Sequence, residues 1–266
     1  MFRMDQLAGY DRSTILFSPE GRIVQVEYAR KAMQRGTTSI GLVFKDGVVL
    51  VGKRKMDVLV LPNKKIYQID DHIGAVFSGY SADGRSLINY ARERAQVYRF
   101  MYNEPVDVDI LTQEVSQLMH QYTQFGGARP FGCGLIIGGI DITGAKLLYL
   151  DPGGAVMKWL AGAIGFNKDV AENFLRGLVK NGNKFENMEF EEALINALAA
   201  LIVSSASEPK PIEIELGYVL KGQNFVIKTG ADEEIKTFLE KAKKVAEEWK
   251  QKLGEKLEES GEEEEL

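Results

Sequence analysis

The sequence has little of what metal centres and many catalytic sites are built from. It contains one cysteine, Cys133, and only two histidines, His72 and His120. A single cysteine excludes an intramolecular disulfide and a cysteine-based zinc site. The two histidines lie far apart in the chain and share no metal-ligand motif, and no glycine-rich phosphate loop is present. We therefore expect no metal and no other cofactor.

Long apolar runs are also missing. The apolar stretches are short and are interrupted by glycine or by charge, so the sequence predicts no transmembrane helix and no membrane partner. The first residues, Met1-Phe2-Arg3-Met4-Asp5, contain no apolar signal core. A cytoplasmic protein is the expectation that follows.

An excess of positive charge is absent as well. The formal net charge is -5 and the isoelectric point is about 5.4, which does not favour nucleic acid as a partner. The one basic run, Lys53-Arg54-Lys55, ends a predicted strand and is expected to be a solvated edge. With 266 residues, of which 45% are hydrophobic, the chain is long enough to bury a large core.

The periodicity of apolar residues predicts the order of helices and strands. Strands are predicted near 37–44, 48–53, 65–69, 73–78, 131–140, 145–150, 155–164, 212–218 and 224–228. Helices are predicted over 22–35, from Ser81 to before Pro105, from about Leu111 to Gly126, and around Phe174, Leu194 and Phe238. Alternation of apolar residues with Glu213 and Glu215 indicates a half-buried strand there.

This order, hairpins followed by helix pairs, indicates an α+β fold without βαβ units. We expect a four-layer αββα sandwich, in which two mostly antiparallel sheets are stacked and each is flanked by a helix pair. The predicted division is an N-terminal gate segment and extension helix over 1–36, the core over 37–230, a C-terminal helix over 231–254, and an acidic, disordered tail over 255–266.

One junction raises the question of catalysis. Gly36-Thr37 opens the first predicted strand, and a threonine can be a nucleophile when its own free amine is the general base. That chemistry requires Thr37 to be the first residue of the mature chain, whereas 36 residues precede it here. Self-processing between Gly36 and Thr37 would remove them.

The segment before this junction resembles a known family. The motifs are Tyr10-Asp11-Arg12, Phe17-Ser18-Pro19-Glu20-Gly21-Arg22, Gln25-Val26-Glu27-Tyr28-Ala29 and Arg35-Gly36-Thr37-Thr38, with Gln121-Tyr122-Thr123-Gln124 and Ala128-Arg129-Pro130-Phe131-Gly132 further on. They look like the signature of 20S proteasome α subunits of the archaeal type, over roughly residues 8 to 240.

The resemblance implies a subunit without its own active site. The family's catalytic β subunits share the αββα fold, and their catalytic lysine corresponds to Lys65, but their catalytic acid falls on Lys53. A cation at that position would oppose the charging of Lys65. The alternatives are a self-processing N-terminal-threonine hydrolase cleaved at Gly36/Thr37, and a free-standing binding module with the same fold.

The resemblance also implies partners and a gating role. Such subunits form a homo-heptameric end ring that stacks on a ring of β subunits and admits unfolded protein substrates through an axial pore. The residues that match the family's gate are Tyr10, Asp11, Pro19 and Tyr28.

A second implied site is a pocket between neighbouring subunits. In the family it receives the C-terminal tails of AAA+ regulatory ATPases, and Lys65 matches the lysine that binds the tail carboxylate, with Gly36 and Gly79 lining the pocket. Gly52, Tyr80 and the stretch 56–62 depart from the common archaeal pattern and indicate a divergent member.

Overall fold

The structure is a computed structural model, and it describes residues 16–260, with side chains as far as residue 253. Six helices are present in this part of the chain: α1 (Val24–Gln34), α2 (Ser81–Tyr102), α3 (Val108–Gln124), α4 (Lys168–Lys180), α5 (Phe190–Ser204) and α6 (Glu233–Ser260). The ten strands of the described residues are β1 (Ser39–Phe44), β2 (Gly47–Lys53), β3 (Ile66–Asp70), β4 (Ile73–Gly79), β5 (Cys133–Asp141), β6 (Gly144–Leu150), β7 (Val156–Trp159), β8 (Ala161–Ile164), β9 (Ile214–Leu220) and β10 (Val226–Thr229).

These strands form two antiparallel five-stranded sheets. The first has the order β10-β9-β2-β1-β8, and the second has the order β3-β4-β5-β6-β7. Every pairing between named strands is antiparallel, as expected for strands that are joined by hairpins or that return from a helix pair. The prediction of two stacked antiparallel sheets is confirmed.

Three apolar layers separate the helices and the sheets. One lies between the first sheet and helices α4, α5 and α6, and includes Phe44 and Phe174. A second lies between the second sheet and helices α2 and α3, and includes Leu87 and Met119. The third, which includes Ile66, lies between the two sheets. Strands β1 and β2 are buried on both faces, which explains why their sequences do not alternate.

Helix α1 packs against β4 and β5, at the end of the sandwich where β1 begins. Its last turn buries Met33 between the sheets. A β-carbon added at Gly134 would lie 2.4 Å from the Met33 sulfur, so the absence of a side chain on β5 allows this close approach. The extension is therefore an integral part of the folded domain from α1 onward.

The structure divides the predicted strand 155–164 into two. β7 pairs with β6 in the second sheet, whereas β8 pairs with β1 in the first. The chain changes sheets at Leu160, whose carbonyl accepts a 2.7 Å hydrogen bond from the Val43 N–H. Because the residues on both sides of Leu160 are extended, their periodicity carries no information about the change of sheet.

Two further features differ from the predictions. The alternating pattern places Glu215 on the solvent side of a half-buried strand, but this residue is buried, because β9 lies inside the first sheet and the side chain faces the second. Helix α6 continues to Ser260, six residues beyond the predicted end at 254, through a sequence rich in the good helix formers Glu, Lys and Leu. Residues 261–266 of the predicted acidic tail lie outside the described residues.

Candidate functional site

The junction between α1 and β1 is fastened to the turn that follows β8. The Thr38 hydroxyl donates a 2.6 Å hydrogen bond to the Phe166 carbonyl, and the Phe166 N–H donates a 2.8 Å bond to the Gly36 carbonyl. These two bonds fix the backbone on both sides of Thr37. The carbonyl of Thr37 then points toward the start of the second sheet, where two side chains meet it.

Lys65 is the first of these side chains. Its ammonium donates a 3.0 Å hydrogen bond to the Thr37 carbonyl, and the side chain is buried. Burial lowers the pKa of Lys65 from 10.5 to about 7, while the negative charge of Glu215 acts in the opposite direction. The ammonium is therefore poised to gain or lose a proton near neutral pH.

The predicted influence of Lys53 takes a different form. The sequence predicts that this cation opposes the charging of Lys65 directly. In the structure the Lys53 ammonium lies 3.8 Å from the Glu213 carboxylate, so its charge is partly compensated. The lowered pKa of Lys65 is caused by its burial.

The second side chain at Thr37 is Ser78, near the end of β4. Its hydroxyl lies 3.1 Å from both the Thr37 carbonyl and the Met33 carbonyl. Next to it, a β-carbon on Gly36 would lie 2.3 Å from the Gly79 nitrogen and from the Ser78 oxygen. Gly79 itself has φ +116°, a conformation that favours glycine. The structure thus brings Lys65, Gly36 and Gly79 together around Thr37.

Two residues of this site were not found in the sequence. The Glu215 carboxylate accepts hydrogen bonds from the backbone N–H groups of Lys65 and Ile66, at 2.5 and 2.7 Å. Its other oxygen lies 3.7 Å from the Arg54 guanidinium, which also donates to the Ile212 carbonyl. Both Arg54 and Glu215 are buried. The only local signals for them are an alternating strand and a basic run, and both patterns are typical of solvated residues.

The departure at Gly52 belongs to the same cluster. Gly52 is paired with Glu215 across β2 and β9, so both positions face the second sheet. A β-carbon at Gly52 would lie 2.6 Å from the Lys65 side chain. Glycine at this position leaves room for the aliphatic part of Lys65 beside the Glu215 carboxylate.

Of the four predicted gate residues, the structure describes Pro19 and Tyr28. Pro19 lies in an exposed turn that is closed by hydrogen bonds between Ser18 and Gly21 and between Ser18 and Arg22, each 2.8 Å long. Tyr28 is exposed on α1. Tyr10 and Asp11 lie outside the described residues. The role of this set stays a prediction.

Other candidate chemistry is not supported by the described residues. Cys133 is buried, and burial raises the pKa of its thiol well above the ordinary range, which leaves it unreactive. Between residues 16 and 260 there is no group of three or more His, Cys, Asp or Glu side chains that could hold a metal ion. No helix in this part of the chain is long and apolar enough to cross a bilayer.

Comparison with known proteins agrees with this geometry. The family described as "Proteasome subunit" matches residues 33–216, and a second family, described as the N-terminal signature of the α-type proteasome subunits, matches residues 10–32. The stacked sheets and the matched core define the class, which is a proteasome subunit. The N-terminal match narrows the class, and the chain belongs to the proteasome α-subunit family.

Relatives that bear the name of the proteasome's alpha subunit match nearly the whole chain. The relative from Archaeoglobus fulgidus is 40% identical over 237 residues, which cover 88% of this chain and 94% of the relative. The relative from Pyrobaculum aerophilum is 44% identical over 85% of this chain and 92% of its own length. One from Methanococcus maripaludis is 41% identical over 96% and 98%. Membership of this family implies a multi-subunit proteasome assembly.

The buried carboxylate of Glu215 leads to a prediction about stability. Replacing Glu215 by Ala leaves two buried N–H groups without their acceptor and Arg54 without its counter-charge. We expect the free energy of unfolding to fall by about 3–5 kcal/mol, measured by urea denaturation with tryptophan fluorescence. Glu208→Ala is the matched control, because Glu208 forms an exposed ion pair with Lys243 and its loss should cost less than about 1 kcal/mol. Equal stability of the two variants would contradict the prediction.

Proposed function

We propose that this chain is a non-catalytic subunit of the proteasome's α ring, which gates entry to the proteolytic chamber and docks the C-terminal tails of activating ATPases. The observation that carries the proposal is the N-terminal signature over residues 10–32, which contains Tyr10, Asp11, Pro19 and Tyr28. On this proposal, copies of the chain form a heptameric ring in the cytoplasm, stack on β subunits, and pass unfolded protein through the ring.

The absence of catalysis is supported by the surroundings of Thr37. Its nitrogen belongs to the peptide bond with Gly36, and the Gly36 backbone is held by hydrogen bonds to Met33 and Phe166. Lys53 occupies the position expected for a catalytic acid. Lys65 is retained near Thr37, yet it donates to the Thr37 carbonyl. A lysine in this position, without a free threonine amine and without the acid, cannot generate the nucleophile.

The alternative of a self-processing threonine hydrolase can be decided by mass spectrometry. We expect the purified protein, alone or assembled with β subunits, to keep an intact mass of about 29.6 kDa. Thr37→Ala should have the same mass apart from the substitution, and the same peptidase activity after assembly. A chain that begins at Thr37, seen in the parent protein but not in Thr37→Ala, would establish self-processing and overturn the proposal.

The gate is tested by peptide entry into the assembled particle. Replacing Tyr10 or Asp11 by Ala removes a hydroxyl or a carboxylate that could bond to a neighbouring copy in the open state. We expect activator-stimulated hydrolysis of a long peptide to fall by about fivefold or more, while hydrolysis of a very short peptide changes little. Asp169→Ala is the control, because the Asp169 side chain is 85% exposed on α4. Unchanged stimulation in both gate variants would reject the assignment.

Tail docking is supported by the geometry around Lys65. A lysine ammonium has three donors, and the Thr37 carbonyl takes one of them. A carboxylate is a stronger acceptor for an ammonium than a neutral carbonyl is, so a C-terminal carboxylate could engage the same group. Gly36 and Gly79 keep the backbone close to it, and the exposed Tyr80 stands beside them.

The pKa of Lys65 gives this docking a pH dependence. The ammonium is charged below pH 7 and loses its proton as the pH rises through about 7, whereas the carboxylate of the tail stays ionised. We therefore expect the affinity for an activator-tail peptide to fall roughly tenfold between pH 6.5 and pH 8, measured by calorimetry on the assembled ring. Lys65→Met should bind weakly at both values. Lys64→Met, which removes the neighbouring exposed lysine, should behave as the parent protein. Parent-like affinity in Lys65→Met would exclude the pocket role.

A further inference from the structure

The connection between β2 and β3 exposes a run of four large apolar side chains. Val58 is 101% exposed, Leu59 is 92% exposed and Leu61 is 89% exposed, and Val60 between them is also exposed. Folded proteins leave single apolar side chains in water, but a contiguous exposed group of this kind usually marks a contact surface. We call residues 58–61 the apolar loop.

The apolar loop has a defined shape. The Leu59 N–H donates a 2.9 Å hydrogen bond to the Asp57 carboxylate, and Asp57 and Val60 form an isolated antiparallel bridge. Its turn is thus held by its own polar groups, while its apolar side chains point outward. A preformed turn loses less conformational entropy on association than a flexible segment does.

The loop lies on one lateral side of the sandwich. After β2 the chain passes β9, where the Arg54 N–H donates to the Glu213 carbonyl at 2.6 Å, and it then enters β3. β3 is an edge strand of the second sheet and lies next to β10, an edge strand of the first. The opposite edges of the two sheets are β7 and β8. The apolar loop and the β7–β8 side are therefore on opposite flanks.

The β7–β8 side carries an apolar recess. It has a volume of about 420 Å³, and its lining includes Trp159, Gly162, Leu175, Val179 and Phe185. Val179 on α4 is 51% exposed, and Met157 and Leu160 beside the recess are exposed as well. A β-carbon on Gly162 would lie 2.3 Å from the Trp159 ring, so the ring lies directly against the backbone of β8. We call this surface the flank recess.

We propose that the apolar loop of one copy packs into the flank recess of the next copy, so that this contact joins neighbouring α subunits head to tail. The inference rests on the proposed ring-forming function. A second copy fits best, because one chain carries both a convex and a concave apolar surface, and they lie on opposite flanks. Repetition of such a contact makes a closed ring when the rotation per copy closes, and it leaves neither surface in water.

Variants that block one surface at a time test this contact on the α chain alone. Leu59→Glu places a charge on the loop, and Val179→Glu places one at the recess. Both positions are exposed in the single chain, so both variants should fold. The parent chain should form a large particle by analytical ultracentrifugation, and each variant should be monomeric, with self-association weakened roughly 100-fold or more. Ile142→Glu, at a 95% exposed position in the β5–β6 turn, should assemble as the parent chain does.

A mixture of the two variants gives the decisive result. The recess of Leu59→Glu and the loop of Val179→Glu are both intact, so one contact can form, but the outer surfaces of the resulting pair are blocked. We expect a one-to-one dimer that does not grow. A mixture that stays monomeric, a parent chain that is monomeric, or normal assembly of either variant would overturn the inference.

Cross-linking gives an independent measurement of the same contact. The only native cysteine, Cys133, is buried, so introduced cysteines can be modified selectively. In the assembled particle, Leu59→Cys combined with Val179→Cys should be joined between chains by a short bismaleimide, and Leu59→Cys combined with Ile142→Cys should not. An intact particle that does not cross-link in the first pair would reject this contact. The gate and tail assays would still stand in that case, so failure of the contact is distinguishable from failure of the proposed function.

Discussion

The hydrogen bonds of the Glu215 carboxylate are the constraint on which the site depends. This side chain comes from β9 in the first sheet and accepts the N–H groups of Lys65 and Ile66, where the second sheet begins. It therefore fixes the separation of the two sheets at the point where Lys65 leaves the backbone. The Arg54 guanidinium, 3.7 Å away, balances its charge. A buried carboxylate is costly unless it is paired and hydrogen-bonded, and here both conditions are met.

This arrangement explains how a lysine can be retained where no catalysis is proposed. The Lys65 ammonium is held beside the Thr37 carbonyl by the same sheet geometry that a threonine hydrolase would need, but α1 precedes Thr37 and occupies the end of the sandwich. The ammonium then has no amine to assist. What remains is a poised cation next to two glycines, which suits recognition of a carboxylate better than activation of a hydroxyl.

The sequence predicted the architecture because hairpin signals and helical periodicity are local properties. The turn between β1 and β2 and the helix around Leu87 follow directly from such signals. The division at Leu160 was not predictable, because extended residues on both sides belong to different sheets and only the fold assigns them.

The candidate site was predictable to a different extent. Lys65, Gly36 and Gly79 came from the family resemblance, and the structure brings them together. Glu215 and Arg54 could not be found in the same way, because a charged residue in a strand is usually solvated and nothing local shows that its neighbours will bury it. The lowered pKa of Lys65 is likewise a property of burial in the fold.

Assembly and tail docking are linked by the chain itself. The apolar loop at 58–61 and Lys65 belong to one connection, with only residues 62–64 between them. If the loop packs against a neighbouring copy, that copy also stands close to Lys65 and can supply a second wall for a tail that approaches the ammonium. A single chain would then hold only half of the docking site, and the ring would complete it. The departures from the archaeal pattern, which are concentrated at Gly52, in 56–62 and at Tyr80, lie in this same region. They change the loop, the space for the lysine side chain and the rim of the site together, which is expected if ring contact and docking surface form one unit.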